Sequence, residues 1–312
     1  MSTPIPEFVH DATITTPIDL HRGGCRCPLH RRRLFTGLLA GAAATAAWPA
    51  LAREGVEVGG NSKFTKLVSA EEIEGAAAAQ YQQMRTEASG KKALAPASHP
   101  QQQRLQAIAD RLIPFTYEWN RRARDWQWEV SLIGSKEINA FCMPGGKIAF
   151  YYGILQQLQL SDSEVAMIMG HEMAHALREH ARERMGKQMA TQGVIGIGAA
   201  LLGLGDVGRT VANMGGQLLT LKFGREDESE ADLVGMELAA RAGYDPRSGV
   251  TLWQKMMEAS KGAPPEFLST HPAGNTRIRD IEASLPKVES LYVRAPRPAR
   301  QFGPPALRNS AG

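Results

Sequence analysis

Apolar residues recur at helical spacing along much of the chain, and two extended runs interrupt this pattern. Residues 101–120 have an amphipathic helical pattern, with apolar side chains at Leu105, Ile108, Leu112 and Ile113. Extended runs follow at 126–133 and 138–152, with Gly134 between them, and the pattern after Leu160 is helical again. Many helices with few strands predict an α+β fold that is mainly helical and has a small β-sheet.

The two ends of the chain differ in composition from this central part. Residues 53–100 are polar and rich in Ala, Gly and Ser, with one predicted helix over 70–86. Residues 291–312 carry four prolines and are predicted to form a disordered tail. We therefore divide the chain into an N-terminal segment at 1–52, a polar segment at 53–100, a main domain at 101–290 and the tail.

Composition and charge exclude several classes of protein. The chain has 312 residues, of which 43% are hydrophobic, so it can bury a core and is neither disordered nor collagen-like. Lys and Arg number 36 against 32 Asp and Glu, for a net charge of +4. Five arginines and three acids lie within the first 52 residues, so the remainder is nearly neutral. We therefore expect no nucleic-acid partner.

The first 52 residues have the features of an export signal. Three arginines at 31–33 precede a stretch without charged residues from Leu34 to Ala52, which ends in Ala-Leu-Ala. The tetrapeptide at 32–35, Arg-Arg-Leu-Phe, resembles the twin-arginine motif, so we predict export to the periplasm by that route. The alternative is an uncleaved membrane anchor, which the high Ala and Gly content of the stretch disfavours.

An HExxH motif lies on a helix that begins with a capping box at Ser161 and is predicted to run to about Lys187. His171 and His175 are one turn apart on the same face, which suits two ligands of one Zn²⁺. Glu172 is rotated by about 100° from His171. It is therefore predicted to act as a general base on a water at the metal instead of binding the metal.

A catalytic zinc site needs a third protein ligand. The extended form of the motif, HExxHxxGxxH, is excluded because Arg178 and Ala181 occupy its Gly and His positions. His180 is predicted to lie on the far side of the helix, away from His175. The remaining candidate is an acid from a second helix.

The first acidic cluster downstream supplies such an acid. Glu228 and Asp232 share one face of a predicted helix with Gly235 and Ala239, whose small side chains would let two helices approach closely. One acid as a metal ligand and another orienting a histidine N–H would fit this spacing. The other acids of the cluster are predicted to be solvated: Glu226, Asp227 and Glu230.

Four stretches together resemble the zinc metallopeptidase family of HtpX, BepA, LoiP and the prenyl-protein proteases. They cover about residues 100–285 in the order expected for that family. They are the HExxH at 171–175, the pair Glu228 and Asp232, the strand Asn139-Ala140-Phe141 before Pro144-Gly145-Gly146, and Thr270-His271-Pro272 with Arg277-Ile278.

This resemblance implies a mainly helical metallopeptidase domain with a small β-sheet beside the HExxH helix. It implies one Zn²⁺ per chain, held by His171, His175 and Glu228. Glu172 would be the catalytic base, and Asp232 would orient a ligand from outside the metal's own shell.

Further residues take roles from the same resemblance. His271 matches a histidine that, in soluble periplasmic members, can approach the metal and compete with water, which implies a latch. Arg277 would lie near the cleft. The segment Asn139, Ala140 and Phe141 is interpreted as an edge strand to which an extended substrate adds by main-chain hydrogen bonds.

We therefore expect an exported zinc endopeptidase that cleaves unfolded or misassembled envelope proteins, with the outer-membrane assembly machinery as a candidate partner. The alternative function is a zinc-containing chaperone or assembly factor whose site is latched. The uncharged, apolar segment at 193–205 is predicted to be an apolar cover over the cleft of a soluble protein, a candidate for contact with membranes or unfolded clients, and a membrane span there is the alternative.

Overall fold

The computed structural model describes residues 53–200, 218, 221–261, 265–272 and 274–306. The predicted export signal at 1–52 and the last five residues of the apolar segment at 193–205 lie outside these residues. Export and membrane contact through these segments therefore stay predictions. Within the described part of the chain, no helix is both long enough and apolar enough to cross a membrane.

The described residues form a mainly helical α+β fold, as the sequence predicts. Short 3₁₀ helices at 63–67, 113–118 and 121–124 supplement the regular elements. The α-helices are α1 (Ala70–Gly90), α2 (Pro100–Leu112), α3 (Tyr152–Gln157), α4 (Asp162–Leu177), α5 (His180–Ala200), α6 (Arg225–Arg241), α7 (Ser248–Ala259), α8 (Glu266–Thr270) and α9 (Asn275–Arg294).

A three-stranded sheet occupies the two predicted extended runs. It consists of β1 (Glu129–Ile133), β2 (Ala140–Met143) and β3 (Lys147–Tyr151), with β3 in the middle. β1 runs parallel to β3 and β2 runs antiparallel to it, joined to it by the turn at Gly145 and Gly146, both at positive φ. β2 is thus an edge strand, and it contacts α4.

Helix α4 is the centre of the fold. The predicted capping box is present: Ser161 N–H donates to Glu164 Oε2 at 2.7 Å, and Glu164 N–H donates to Ser161 Oγ at 3.3 Å. Nearly every residue from Glu164 to Leu177 is buried, and the helix contacts β2, α2, α6 and α7. The HExxH motif is therefore carried by a helix with almost no exposed face.

The helix prediction to Lys187 is wrong, because the chain turns after Leu177. Glu179 has φ +59°, a left-handed conformation that a helix interior does not contain. A new helix, α5, begins at His180 and leaves in another direction. Residues after the turn consequently do not continue the helical register of α4.

The two ends of the described chain pack more closely than predicted. Tyr81 of α1 is fully buried and donates to the Ile148 carbonyl of the sheet at 2.7 Å, so residue 100 does not mark a structural boundary. The predicted disordered tail is corrected in part, since α9 extends to Arg294. Beyond α9, Phe302 N–H donates to Asp162 Oδ2 at 2.7 Å.

Glycines bring α4 and α6 into backbone contact, as the small residues on α6 predict. A Cβ added at Gly235 would lie 2.6 Å from the His171 backbone nitrogen, and one at Gly170 would lie 2.7 Å from the Gly235 carbonyl oxygen. No methyl group fits at either position without separating the helices. Since α4 carries the HExxH motif and α6 carries Glu228, this contact sets how near the predicted ligands come.

We predict that Gly235→Ala lowers the free energy of unfolding by about 1–3 kcal/mol, the usual cost of overpacking a core. Gly75→Ala on α1 is the matched control, because nothing lies within 4 Å of its added Cβ. That control is expected to raise the free energy of unfolding by about 0.5–1 kcal/mol. Urea unfolding of both variants measures this, and equal effects would contradict the close contact.

Candidate metal centre

Four metal-ligating side chains converge at the contact between α4 and α6. They are buried, and one donor atom from each lies within 4.8 Å of all the others. The group consists of His171 and His175 from α4, Glu228 from α6 and His271, which follows α8. The structure therefore brings together the three predicted ligands and the predicted latch.

The donor atoms are spaced as ligands of one zinc ion would be. His171 Nε2 lies 3.1 Å from His175 Nε2 and 3.3 Å from His271 Nδ1. Glu228 Oε1 lies 2.9 Å from His271 Nδ1 and 3.5 Å from His175 Nε2. Zinc–nitrogen bonds of about 2.0–2.1 Å place neighbouring tetrahedral ligands about 3.3–3.4 Å apart. The spacing and the N/O donor set both fit Zn²⁺.

Proton placement gives a second reason to expect a cation there. His171 Nδ1 lies 3.1 Å from Asp232 Oδ1, an acceptor, so this nitrogen carries the ring proton when the ring is neutral. The Nε2 of His171 then directs a lone pair at the nitrogens of His175 and His271. Converging lone pairs in a buried site repel one another unless a cation lies between them.

Arg277 from α9 holds the carboxylates behind the ligands. It donates to Asp232 through Nε and Nη2, both at 2.7 Å, and to Glu228 Oε2 at 2.6 Å. Its guanidinium lies 3.7 Å from the centre of the Trp253 ring. Burial alone would raise the pKa of Asp232, but Arg277 and His171 outweigh it and hold that pKa at about 2. Asp232 therefore remains a carboxylate that can orient His171.

Glu172 lies beside the ligands with one carboxylate oxygen free. It is 2% exposed, and its Oε1 has no hydrogen-bond partner among the described residues. The nearest charged neighbour of this oxygen is His271 Nε2 at 3.5 Å. Burial raises the pKa of the Glu172 carboxyl above its usual value. An unpartnered buried carboxylate at a metal site is available to exchange a proton with a bound water or substrate.

Burial and charge move the pKa values of the ligands in different directions. Burial lowers the pKa of His175 well below its usual value, and nearby positive groups add to this. Burial would also lower the pKa of His271, but the carboxylates of Glu172 and Glu228 outweigh it and raise that pKa. For Glu228, burial is outweighed by His271, His171 and Arg277, so its pKa falls. A neutral His175 and an ionised Glu228 are the forms that bind a metal.

The predicted substrate segment borders the same site. Asn139, Ala140 and Phe141 line a cleft that also contains Glu172, His175 and His271. The Ala140 N–H donates to the Asn139 side-chain oxygen at 2.9 Å. The first main-chain N–H of β2 is therefore already hydrogen-bonded to a neighbouring side chain. β2 pairs with β3 on one side only, so its other edge has no partner strand among the described residues.

Four residues at the centre were not singled out by the sequence. Phe223 stacks on the His175 ring at 3.9 Å between centroids, and Trp253 supports Arg277. His180, predicted to point away, instead contacts His175, and Glu230, predicted to be solvated, contacts His180. His180 was misplaced because its position was projected from a continuous helix. A histidine five residues after His175 and a polar Arg178-Glu179 pair were the available signals.

Comparison with known families agrees with this geometry. The profile of the peptidase family M48 matches residues 98–285, which include all four donors, Glu172, Asp232 and Arg277. The chain belongs to peptidase family M48. The resemblance predicted from the sequence is therefore confirmed. M48 peptidases use zinc, in agreement with the predicted cofactor and with the four-residue group.

Curated relatives match the M48 domain over part of their length. The mitochondrial metalloendopeptidase OMA1 of Schizosaccharomyces pombe is 34% identical over 62% of this chain and 56% of its own length. OMA1 of Arabidopsis thaliana is 35% identical over 53% of this chain and 33% of its own length. The beta-barrel assembly-enhancing protease of Escherichia coli K12 is 27% identical over 53% and 36%. The chain thus spans between a third and somewhat over half of these proteins.

We predict that Arg277→Met lowers the free energy of unfolding of the metal-free M48 domain by about 3–5 kcal/mol, because two buried carboxylates lose their shared cation. Arg279→Met on the exposed side of α9 is the matched control and is expected to change it by at most about 0.5 kcal/mol. Urea unfolding measures both values. A loss at Arg277 as small as that at Arg279 would show that Asp232 and Glu228 do not depend on this arginine.

Proposed function

We propose that the chain is a zinc-dependent endopeptidase that hydrolyses peptide bonds in unfolded or misassembled proteins. The observation that carries this proposal is the buried, unpartnered Oε1 of Glu172 beside four converging metal donors, at the base of a cleft bordered by an edge strand. A purely structural zinc site has no need of a free carboxylate next to its ligands.

Each side chain of the site has a separate chemical role. His171, His175 and Glu228 would hold the zinc ion. When bound, zinc supplies Lewis-acid polarisation of a carbonyl and makes a water acidic. Glu172 accepts the proton of the attacking water through its free oxygen and returns it to the leaving amine. Asp232 fixes the proton of His171 on Nδ1, which keeps its Nε2 directed at the site.

The edge strand supports a substrate in extended conformation. β2 ends the sheet beside the cleft, and a peptide that adds to it would be bound through its main chain. Main-chain binding selects little for side chains but requires that the segment be unfolded or loosely structured. This supports a role in protein quality control, and the name of the Escherichia coli relative, a protease that enhances β-barrel assembly, points to the same class of client.

The place of action is proposed from the sequence. The twin-arginine-like segment at 31–35 favours export to the periplasm, where misassembled envelope proteins would be the substrates and the outer-membrane assembly machinery a partner. The names of the OMA1 relatives place those proteins in mitochondria. That location is a property of the relatives and is not carried over to this chain.

We predict that Glu172→Gln binds zinc as the native chain does but hydrolyses unfolded casein at least about 100-fold more slowly, the usual contribution of a general base. The neutral amide keeps the shape of the side chain but cannot accept the proton. Glu226→Gln on the exposed first turn of α6 is the matched control and should retain activity. Zinc content and casein cleavage are measured on all three proteins, and comparable turnover in Glu172→Gln would contradict the mechanism.

The same variant tests the compartment. Cells that carry Glu172→Gln are expected to accumulate envelope proteins, and fractionation should recover the native protease from the periplasm. Accumulation confined to cytoplasmic proteins would contradict export while leaving the chemistry untouched.

A latched chaperone or assembly factor is the second candidate, and His271 is the observation that favours it. Its Nδ1 is one of the four converging donors, 2.9 Å from Glu228 Oε1 and 3.3 Å from His171 Nε2. A zinc ion with four protein ligands has no open position for water or substrate. Ligation by all four side chains would therefore favour a closed resting site.

We predict that His271→Ala still binds zinc through three ligands and cleaves casein about threefold faster or more. That factor is expected if the unlatched state is populated a third of the time or less in the native protein. Absence of cleavage by both the native chain and His271→Ala, with zinc bound, would favour the chaperone. A loss of activity confined to the variant would make His271 a catalytic group instead of a latch.

A further inference from the structure

His175 has a buried partner on the side that faces away from the metal donors. Its Nε2 lies among those donors, while its Nδ1 lies 2.9 Å from His180 Nδ1. His180 is 1% exposed, and its own Nε2 lies 3.1 Å from Glu230 Oε2. Glu230 is held in place by Arg178, which donates from Nε to Oε1 at 2.6 Å. Four side chains thus form a continuous chain of contacts that ends at a ligand.

Only one arrangement of protons satisfies every contact when both rings are neutral. Glu230 accepts only, so His180 must donate from Nε2 and its Nδ1 carries a lone pair. That lone pair accepts a hydrogen bond from the Nδ1–H of His175, so the neutral His175 ring has no proton on Nε2. An unprotonated Nε2 directed at the other donors is the form that binds a metal.

We propose that His180 and Glu230 are positioning residues for the metal centre, which set the tautomer and ring orientation of His175. The inference rests on the metal site of the proposed function and adds residues that this function does not require. His175 is the predicted metal ligand, whereas His180 and Glu230 are not part of the donor group.

The arrangement on His175 parallels the one on His171. His171 donates from Nδ1 to Asp232, and Arg277 pairs with that carboxylate. His175 reaches Glu230 through His180, and Arg178 is the corresponding cation. Each histidine of the HExxH motif therefore has a carboxylate from α6 behind it and an arginine behind that carboxylate. Such outer partners typically change metal affinity by about 10–100-fold when removed.

The turn after α4 makes the second arrangement possible. In a continuous helix, His180 would lie about 140° around the axis from His175 and could not contact its ring. The left-handed conformation of Glu179 interrupts the helix, and the first residue of α5, His180, contacts His175. One residue in a strained backbone conformation, Glu179, thus places this histidine. A helix that continued through 178–182 would not bring it to His175.

A buried histidine can also serve packing alone, and the two roles predict different measurements. A packing role changes the stability of the zinc-free protein and leaves zinc affinity unchanged. A positioning role changes zinc affinity, and a side chain that keeps an acceptor and a donor restores it. Zinc dissociation constants from competition with a chelator, measured on the full chain beside zinc-free urea unfolding, separate them.

For His180→Leu we expect a zinc dissociation constant about 10–100-fold higher than that of the native chain. His180→Gln offers a carbonyl to His175 and an N–H to Glu230, so it should recover most of this affinity. Glu230→Gln should weaken zinc binding in the same direction and less. Glu226→Gln, an exposed acid on the same helix, is the matched control and should bind zinc as the native chain does.

Each outcome decides between the alternatives. Native zinc affinity in folded His180→Leu, or a loss that His180→Gln does not reduce, would overturn the positioning role. If His180→Leu does not fold, Glu230→Gln decides, and native zinc affinity in that variant overturns the proposal. Failure of the native chain itself to bind zinc would contradict the proposed function, so the two failures are distinguishable.

Discussion

The backbone contact between α4 and α6 is the constraint on which the site depends. Glycine at 170 and 235 lets the helices touch without intervening side chains, and the predicted ligands lie next to that contact. His171 follows Gly170 directly, and Glu228 lies two turns before Gly235. Because the facing sides of both helices are buried, the ligand spacing is fixed by packing and does not depend on a surface loop. The packing of the two helices therefore sets the geometry of the predicted metal site.

Such close packing buries charge that must be balanced. Glu228, Glu230 and Asp232 fall within five residues of α6, and the arginines that pair with them come from elsewhere, Arg178 after α4 and Arg277 from α9. Arg277 pairs with both Glu228 and Asp232, and Arg178 pairs with Glu230. Residues two apart on a helix point in different directions, so one short segment supplies Glu228 as a predicted ligand, Asp232 beside His171 and Glu230 beside His180. The sequence pattern identified Glu228 and Asp232 in this acidic run. The structure adds Glu230, which contacts His180.

Local patterns predicted the parts of the fold that local physics controls. The capping box, the pairing of His171 with His175 and the small residues of α6 depend on spacing within one helix, so sequence reasoning found them. The position of His180 depends on a left-handed residue, Glu179, and the polar Arg178-Glu179 pair allows a turn there without specifying one. Phe223 and Trp253 are brought to the site by tertiary packing, and no spacing rule connects them to HExxH. Long-range placement is what a one-dimensional pattern does not contain.

The fourth donor differs from the other three in how it is held. His171 and His175 lie within a buried helix and each has an outer carboxylate partner, whereas His271 follows the five-residue helix α8. Its other nitrogen faces Glu172, 3.5 Å away, and not an outer acid. Its ring lies against Phe267, with centroids 4.6 Å apart. His271 is therefore not part of the packing between α4 and α6. Hydrolytic zinc sites have three protein ligands and one exchangeable position, and the different support of His271 is consistent with the latch proposed above.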